Sequence, residues 1–334
     1  MNCTVSSSAS AKTSDICIPI PRKLVKRTRA LPVNSKLLVL GLGYSGSRVG
    51  ALAKALGIEV IATRRQPSKG ASILFDSNAG QQPVMRQLQG VTHVLSCIPP
   101  NCRGQDPVLP ILGDLLRDLP LRWVGYLSTT GVYGDRQGAW VDEGDDPRPE
   151  QTRSLRRLEC ERDWQQAKLR VPAQILRLPG IYGPGRSVLL SLRSGRARCV
   201  DKPGHRFSRI HVDDIAGAIL HLIAEAEFGH RPGIVNICDD RPASIPELMQ
   251  YAAKLLACPR PELQPFSTAA ASMGSMALSF WREHRRVNNA LLVRTLGYQL
   301  LHPDFRSGLI DCHRREMGSR SPLQNSLLEI NFSS

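Results

Sequence analysis

This sequence has no apolar run approaching the roughly 18 residues that a membrane-crossing helix needs. Its nine cysteines (3, 17, 97, 102, 160, 199, 238, 258 and 312) lie scattered, with no C-x-x-C pair and no Cys/His group at zinc spacing. That argues against a structural zinc site and a disulfide scaffold, and it fits a reducing compartment. Acid is the scarcer charge, with 29 Asp and Glu against 44 Lys and Arg, a formal +15 over 334 residues. No internal repeat occurs, and no stripe of Lys or Arg interleaved with aromatics marks a nucleic-acid surface. What remains, 42% hydrophobic and 22% charged residues, is the balance of a soluble globular chain. Its length allows one large α/β domain with an appended lobe, or two ordinary domains.

The basic surplus is uneven. Residues 1–36 hold seven basic side chains (Lys12, Arg22, Lys23, Lys26, Arg27, Arg29, Lys36) and one acid, Asp15, a local excess of +6. This Ser-rich segment lacks the apolar centre of a secretory signal; it suits an organelle transit peptide and equally a disordered bacterial N-terminus. Under either reading residues 1–35 are expected to lie outside the fold. The location is then the cytoplasm or, with a transit peptide, a plastid or other organelle.

From Lys36 the pattern changes. Leu37-Leu38-Val39-Leu40 reads as a buried parallel strand and runs straight into Gly41-Leu42-Gly43-Tyr44-Ser45-Gly46, a G-x-G-x-x-G. Behind it Val49, Leu52, Ala53 and Leu56 recur at helical spacing up to Gly57. Strand, glycine turn and helix arrive in the order a dinucleotide site requires. Gly41 permits the tight turn, Gly43 admits a pyrophosphate to the backbone, and Gly46 lets the helix pack on the strand. Tyr44 and Ser45 open that helix, whose free N–H groups face the phosphates.

The second strand, Glu59 to Ala62, ends in Thr63-Arg64-Arg65, where an NAD enzyme usually carries a carboxylate for the adenosine ribose. Two guanidiniums there favour NADP over NAD, because Arg pairs well with a 2′-phosphate. A third strand, Ser72–Phe75, ends in Asp76, placed either to meet an adenine amino group or to cap a turn. The fourth, Thr92–Ser96, leads to Cys97 and Ile98, small and apolar enough for the floor beneath a nicotinamide ribose. His93 inside that strand reads as a satisfied core histidine. A helix over 107–117 and a strand over 122–128 continue the alternation, which predicts a doubly wound parallel sheet.

Tyr126-Leu127-Ser128-Thr129-Thr130-Gly131-Val132-Tyr133-Gly134-Asp135 resembles the S-[ST]-x-x-V-Y-G-D strand end of extended short-chain dehydrogenases/reductases, the epimerase/dehydratase branch. Arg177 to Arg186 is similar to its R-x-x-x-x-Y-G-P-G segment, and Arg209-Ile210-His211-Val212-Asp213 to its [RY]-I-H-V-x-D segment. Together these span about residues 36–310. The resemblance implies a nucleotide-binding domain over 36–180. It also implies a smaller C-terminal substrate lobe over 181–315, with one strand near 233–238 returning to the sheet, and a tail over 316–334.

The family's acid/base is a Tyr-x-x-x-Lys pair assisted by a Ser or Thr; the position of that hydroxyl here is Thr129. The pair itself is missing. Aligning Glu161 with the family's usual acid puts Arg157 at the lysine and Arg153 at the tyrosine. Arg157 can still grip a ribose, whereas Arg153 cannot pass a proton at working pH. Thr129, Arg157 and Tyr133 are therefore the catalytic candidates, and Tyr182, Arg186 and Arg209 the substrate-binding ones. Asp213 reads as the N-cap of a helix over 214–225, and His211 as structural. The resemblance implies an NADP-dependent oxidoreductase or epimerase acting on a small, sugar-nucleotide-like substrate, with a homodimer open. The missing pair supports a rival, an NADP-binding sensor or assembly factor without chemistry. The basic surplus keeps nucleic-acid binding on a Rossmann frame as a third reading.

Overall fold

Four apolar residues in a row after Lys36 fit a strand covered on both faces, and in the computed structural model of this chain they form the centre of a sheet. The structure describes residues 20–66 and 73–318. In chain order come α1 (Arg22–Arg27), β1 (Lys36–Leu40), α2 (Tyr44–Ala55), β2 (Glu59–Arg64), β3 (Ile73–Leu74), α3 (Met85–Leu88), β4 (His93–Ser96), α4 (Leu109–Asp118) and β5 (Trp123–Thr129). There follow β6 (Trp140–Val141), α5 (Thr152–Gln166), β7 (Ala173–Leu178), β8 (Gly180–Tyr182), α6 (Val188–Arg193), β9 (Cys199–Asp201), β10 (Arg209–His211), α7 (Val212–Glu227) and β11 (Ile234–Asn236). The remainder includes α8 (Ile245–Leu255), β12 (Leu263–Pro265), α9 (Phe266–Ala270), α10 (Ser275–Arg282), β13 (Arg286–Val287) and α11 (Phe305–Gly318).

Seven strands form one sheet in the order β11-β7-β5-β4-β1-β2-β3, and every pairing is parallel. The doubly wound α/β sheet expected from the strand–helix alternation is what the chain adopts. Alternation along β1 divides the core between the two faces. Leu37 and Val39 pack with Val49 and Leu52 of α2 and with the almost wholly buried α7. Leu38 and Leu40 face the other way, with Leu112 and Leu116 of α4 and Trp164 of α5. Strand order reverses between β1 and β4, so a crevice opens at their carboxyl ends, where such sheets bind ligands. Short parallel pairs β8–β10, β9–β12 and β6–β13 lie outside the main sheet.

One expectation is corrected. Of the segment held to lie outside the fold, residues 20–35 are described, and through Leu24, with Ile20, Val25 and Leu31 beside it, they are anchored on the core. Leu24 of α1 is 2% exposed within the core of α2 and α7, and a Cβ on Gly217 would come within 2.8 Å of it. A six-residue helix carries too little periodicity to be read from sequence. Residues 1–19 of the targeting reading and residues 319–334 of the tail lie outside the described residues. No described helix is long and apolar enough to cross a membrane.

His93 is a satisfied interior histidine. Its Nδ1 lies 2.8 Å from Thr92 Oγ1 and its Nε2 3.0 Å from Glu227 Oε1. Burial pushes its pKa down to about 4, against the help of Glu227. In the unfolded chain the ring takes a proton near pH 6.5, so stability is lost as pH falls from there toward 4. We expect about 2 kcal/mol of this loss by pH 5. Urea unfolding at pH 7.5 and pH 5 should show a smaller pH effect in His93→Gln than in the parent; equal losses would locate the acid sensitivity elsewhere.

Candidate functional site

The crevice is lined first by the turn after β1. Gly41 has φ +90°, and a Cβ there would meet Ile98 Cγ1 at 2.7 Å. At Gly46 a Cβ would lie 2.5 Å from the Gly41 carbonyl oxygen and 3.3 Å from Cys97 Sγ, so only glycine lets α2 seat against β1 and β4. Gly43 differs: it is exposed, with nothing within 4 Å of a Cβ position. The turn is held from β2, because Gly41 N donates to Thr63 Oγ1 (3.0 Å) and Leu42 N to Thr63 O (2.8 Å). Thr63, expected only as a strand end, fixes the turn to the same residues that carry the arginines. No side chain caps α2 and its first turn holds no acid, which leaves its N-terminal N–H groups and dipole for an anion.

Arg64 ends β2, and its Nε is buried with no hydrogen-bond partner among the described residues; Arg65 beside it is exposed. An orphaned buried guanidinium nitrogen next to an open glycine turn is the donor a phosphate would satisfy. The cradle and this donor fit a phosphorylated dinucleotide. Cys97 and Ile98 follow β4 directly and pack against Gly46 and Gly41, and burial pushes the Cys97 thiol up to about 12, so it is an inert wall. Asp76 sits in a turn beyond β3, its Oδ1 accepting from Asn78 N at 2.9 Å, which is the capping alternative.

Thr129 is the last residue of β5. Its Oγ1 accepts from Gly131 N at 3.1 Å, and its hydroxyl keeps a proton to donate. Facing it on α5, Ser154 is buried with its Oγ 2.7 Å from where a Gly131 Cβ would stand. Arg157 reaches the same strand end: Nη1 donates to Leu127 O (2.9 Å) and to Tyr126 Oη (3.0 Å). Arg153 turns the other way, its guanidinium 4.0 Å from the centroid of Phe280 on α10. Burial, followed by the nearby Arg285, pulls the Arg153 pKa down, while Glu283 opposes that shift.

Three candidates are withdrawn from the crevice. Tyr133 is fully buried, and its hydroxyl donates to Asn236 Oδ1 at 2.9 Å beneath the Arg177 guanidinium. Arg209 is 9% exposed and donates through Nη1 to the carbonyls of Phe207 (2.9 Å) and Ala243 (3.0 Å). Tyr182 is 9% exposed, stacks edge-on against His211 and donates to Asp304 O at 3.4 Å. Each motif position is conformational support, because a phenol or guanidinium inside the core must find a partner there. Arg186 alone of the substrate candidates is exposed, 5.7 Å over the Tyr44 ring, while Tyr44 Oη donates to Pro184 O at 3.1 Å. The glycine turn and the Y-G-P-G loop are thereby joined.

The expected N-cap is also corrected. His211 caps α7 by accepting from Asp213 N at 3.2 Å, and Asp213 lies in the first turn, paired with Arg48 and, at 2.6 Å, with Arg315. His211, Asp213, His302 and Asp311 bring ligand atoms within 4.8 Å of one another. The guanidiniums of Arg48 and Arg315 already supply the positive charge that those carboxylates need, and burial pulls the pKa of His211 and of His302 down.

No family model matches the chain. It is similar to a structurally determined conserved protein of unknown function from Silicibacter pomeroyi, 38% identical over 84% of this chain and 99% of that one, with a TM-score of 0.74. The human epimerase family protein SDR39U1, solved with NADPH, is 20% identical over 84% of this chain and 99% of that one, with a TM-score of 0.68, and shares the fold. Protein YeeZ of Escherichia coli is 28% identical over 182 residues, 54% of this chain. The match spans 58% of the length of that curated relative.

Proposed function

We propose that this protein, which belongs to the extended short-chain dehydrogenase/reductase superfamily and to one family with the Silicibacter pomeroyi protein, binds NADP in preference to NAD and serves as an oxidoreductase or epimerase of a small substrate. The observation that carries the reading is the glycine turn, closed to any Cβ at Gly46, open at Gly43, and flanked by Arg64 Nε, which has no partner among the described residues. Solved structures of this fold hold NADPH in one case and NAD in others, so the choice of NADP rests on the arginines at the end of β2. Backbone N–H groups of Tyr44, Ser45 and Gly46 would hold the pyrophosphate, and Arg64 with Arg65 the 2′-phosphate. Cys97 and Ile98 would floor the nicotinamide ribose, and Arg157, already anchored on Leu127 O, would orient the second ribose, while Asp76 stays the cap of its own turn. Bound NADP would supply the hydride acceptor or donor. Thr129 would donate a hydrogen bond to the oxygen at the reacting carbon, without giving up its proton. Arg186 on the Y-G-P-G loop is exposed for a substrate anion.

A second reading, a cofactor-binding sensor or assembly factor without chemistry, has its own observation. No tyrosine faces Thr129 from α5; Arg153 occupies that turn and stacks on Phe280 instead. One experiment separates the two. NADPH deuterated at nicotinamide C4 is incubated with the protein and a metabolite extract, and the reverse run uses NADP⁺ with deuterated extract. Deuterium recovered in a metabolite is the expected result and names the substrate. Tight NADPH binding with transfer in neither direction would select the sensor, and absence of NADPH binding would remove both readings.

A further inference from the structure

A second cavity, of about 200 Å³, opens in the C-terminal lobe between the end of β9, the loop leading to β10 and the N-terminus of α8. Its wall carries Lys202, Arg206 and Arg260 against one carboxylate, Asp201. A further acid, Glu247, lies behind Arg206: its Oε2 accepts from Arg206 Nη1 at 2.7 Å and from Ser244 N at 2.9 Å, closing the capping box of α8. That pairing spends most of the Arg206 charge. Lys202 and Arg260 are in no ion pair among the described residues; Lys202 Nζ donates to the carbonyl of Trp281 at 2.6 Å.

His205 is the independent observation. It lines the cavity, is 3% exposed, and neither of its ring nitrogens has a hydrogen-bond partner among the described residues. Its ring is clamped by stacking, 4.4 Å from His284, 4.6 Å from Phe207 and 5.4 Å from Trp281. A buried imidazole must be donor at one nitrogen and acceptor at the other, so an orphaned ring beside a basic cavity asks for a polar guest. The volume suits a single tetrahedral oxyanion and is too small for a dinucleotide. Gly204, with φ +78°, brings the chain past the cavity with no side chain in the way.

We propose that this lobe cavity is a seat for a phosphate group, either free phosphate or the phosphate of a small monoester, separate from the dinucleotide cradle. Lys202 and Arg260 supply the uncompensated charge and His205 a clamped donor.

The test is calorimetric titration of the full chain, with NADP⁺ present, first by inorganic phosphate and then by glycerol 3-phosphate. One site per chain is expected, weakened about tenfold or more in Arg260→Gln and in Lys202→Gln, each of which removes one charged partner. His205→Phe keeps the aromatic stack and should also weaken binding, with an unchanged urea midpoint as evidence that the lobe is intact. A tighter ester than inorganic phosphate would make the seat part of a larger ligand's site, and equal affinities would make it a free-anion site. Absence of saturable heat in the millimolar range, or unchanged affinity across all three variants, overturns the proposal. Failure of NADP⁺ itself to bind would count against the cofactor reading while leaving the phosphate titration readable.

Discussion

Replacing Glu161 by Gln is expected to cost about 3–5 kcal/mol of folding stability, the range for leaving a buried charge without its partner. Glu161 on α5 and Arg177 on β7 are each 2% exposed at the side chain and meet through two bonds, Nε to Oε1 at 3.1 Å and Nη2 to Oε2 at 2.7 Å. Ser128 of β5 donates to the same carboxylate. Arg177 Nη1 has no partner among the described residues and lies in the guanidinium that covers the Tyr133 ring, Cζ 4.7 Å from its centroid. Removing the carboxylate charge therefore strands a cation that already has one unsatisfied nitrogen. Urea unfolding should show the loss in Glu161→Gln, and the double change Glu161→Met with Arg177→Met should recover most of it, since an apolar pair of similar volume often matches a buried ion pair. A double variant as unstable as the single would mean that the site needs the charges for its shape.

Changing Arg64 and Arg65 together to Ala is expected to lower NADPH affinity about 100-fold and to leave NADH affinity within about twofold. The size follows from losing charge-assisted bonds to a dianionic phosphate, each stronger than a neutral hydrogen bond. The direction follows from the position of the pair at the end of β2, beside the turn that Thr63 holds, where only the adenosine ribose substituent distinguishes the two cofactors. Fluorescence titration of the two reduced cofactors measures both affinities in one series. Equal weakening of NADPH and NADH would assign the arginines to the pyrophosphate or to the fold, and no weakening would return them to solvent.

Several elements of the candidate site were legible because their reasons are local. A glycine turn needs no distant information: Gly41 at φ +90° and the Cβ-free contact at Gly46 follow from backbone sterics between residues close in sequence. The strand ends carrying Arg64, Cys97 and Thr129 follow from alternation, since parallel strands of a doubly wound sheet all present their carboxyl ends on one edge. Tyr133, Tyr182 and Arg209 were misplaced for the opposite reason. Motif order puts them near the crevice, but whether a side chain points into it or under it depends on partners far along the chain, Asn236, Asp304 and Ala243. An Arg within the buried run of β7 was the available signal for a hidden carboxylate, and Glu161 was in view as a family position without its partner being known.

The sequence by itself determined the winding of the sheet, the glycine cradle and the absence of a tyrosine–lysine pair, all fixed by residue type at short spacing. Only the tertiary structure decided which polar side chains are spent inside. It turned Tyr133 and Arg209 into core supports, gave the capping of α7 to His211, drew Leu24 into the core, and left His205 without a hydrogen-bond partner among the described residues at a basic cavity. Those outcomes rest on which contacts satisfy each buried donor and charge, and the pairing is set by how elements pack, at separations from 34 for Arg209 and Ala243 to 103 for Tyr133 and Asn236.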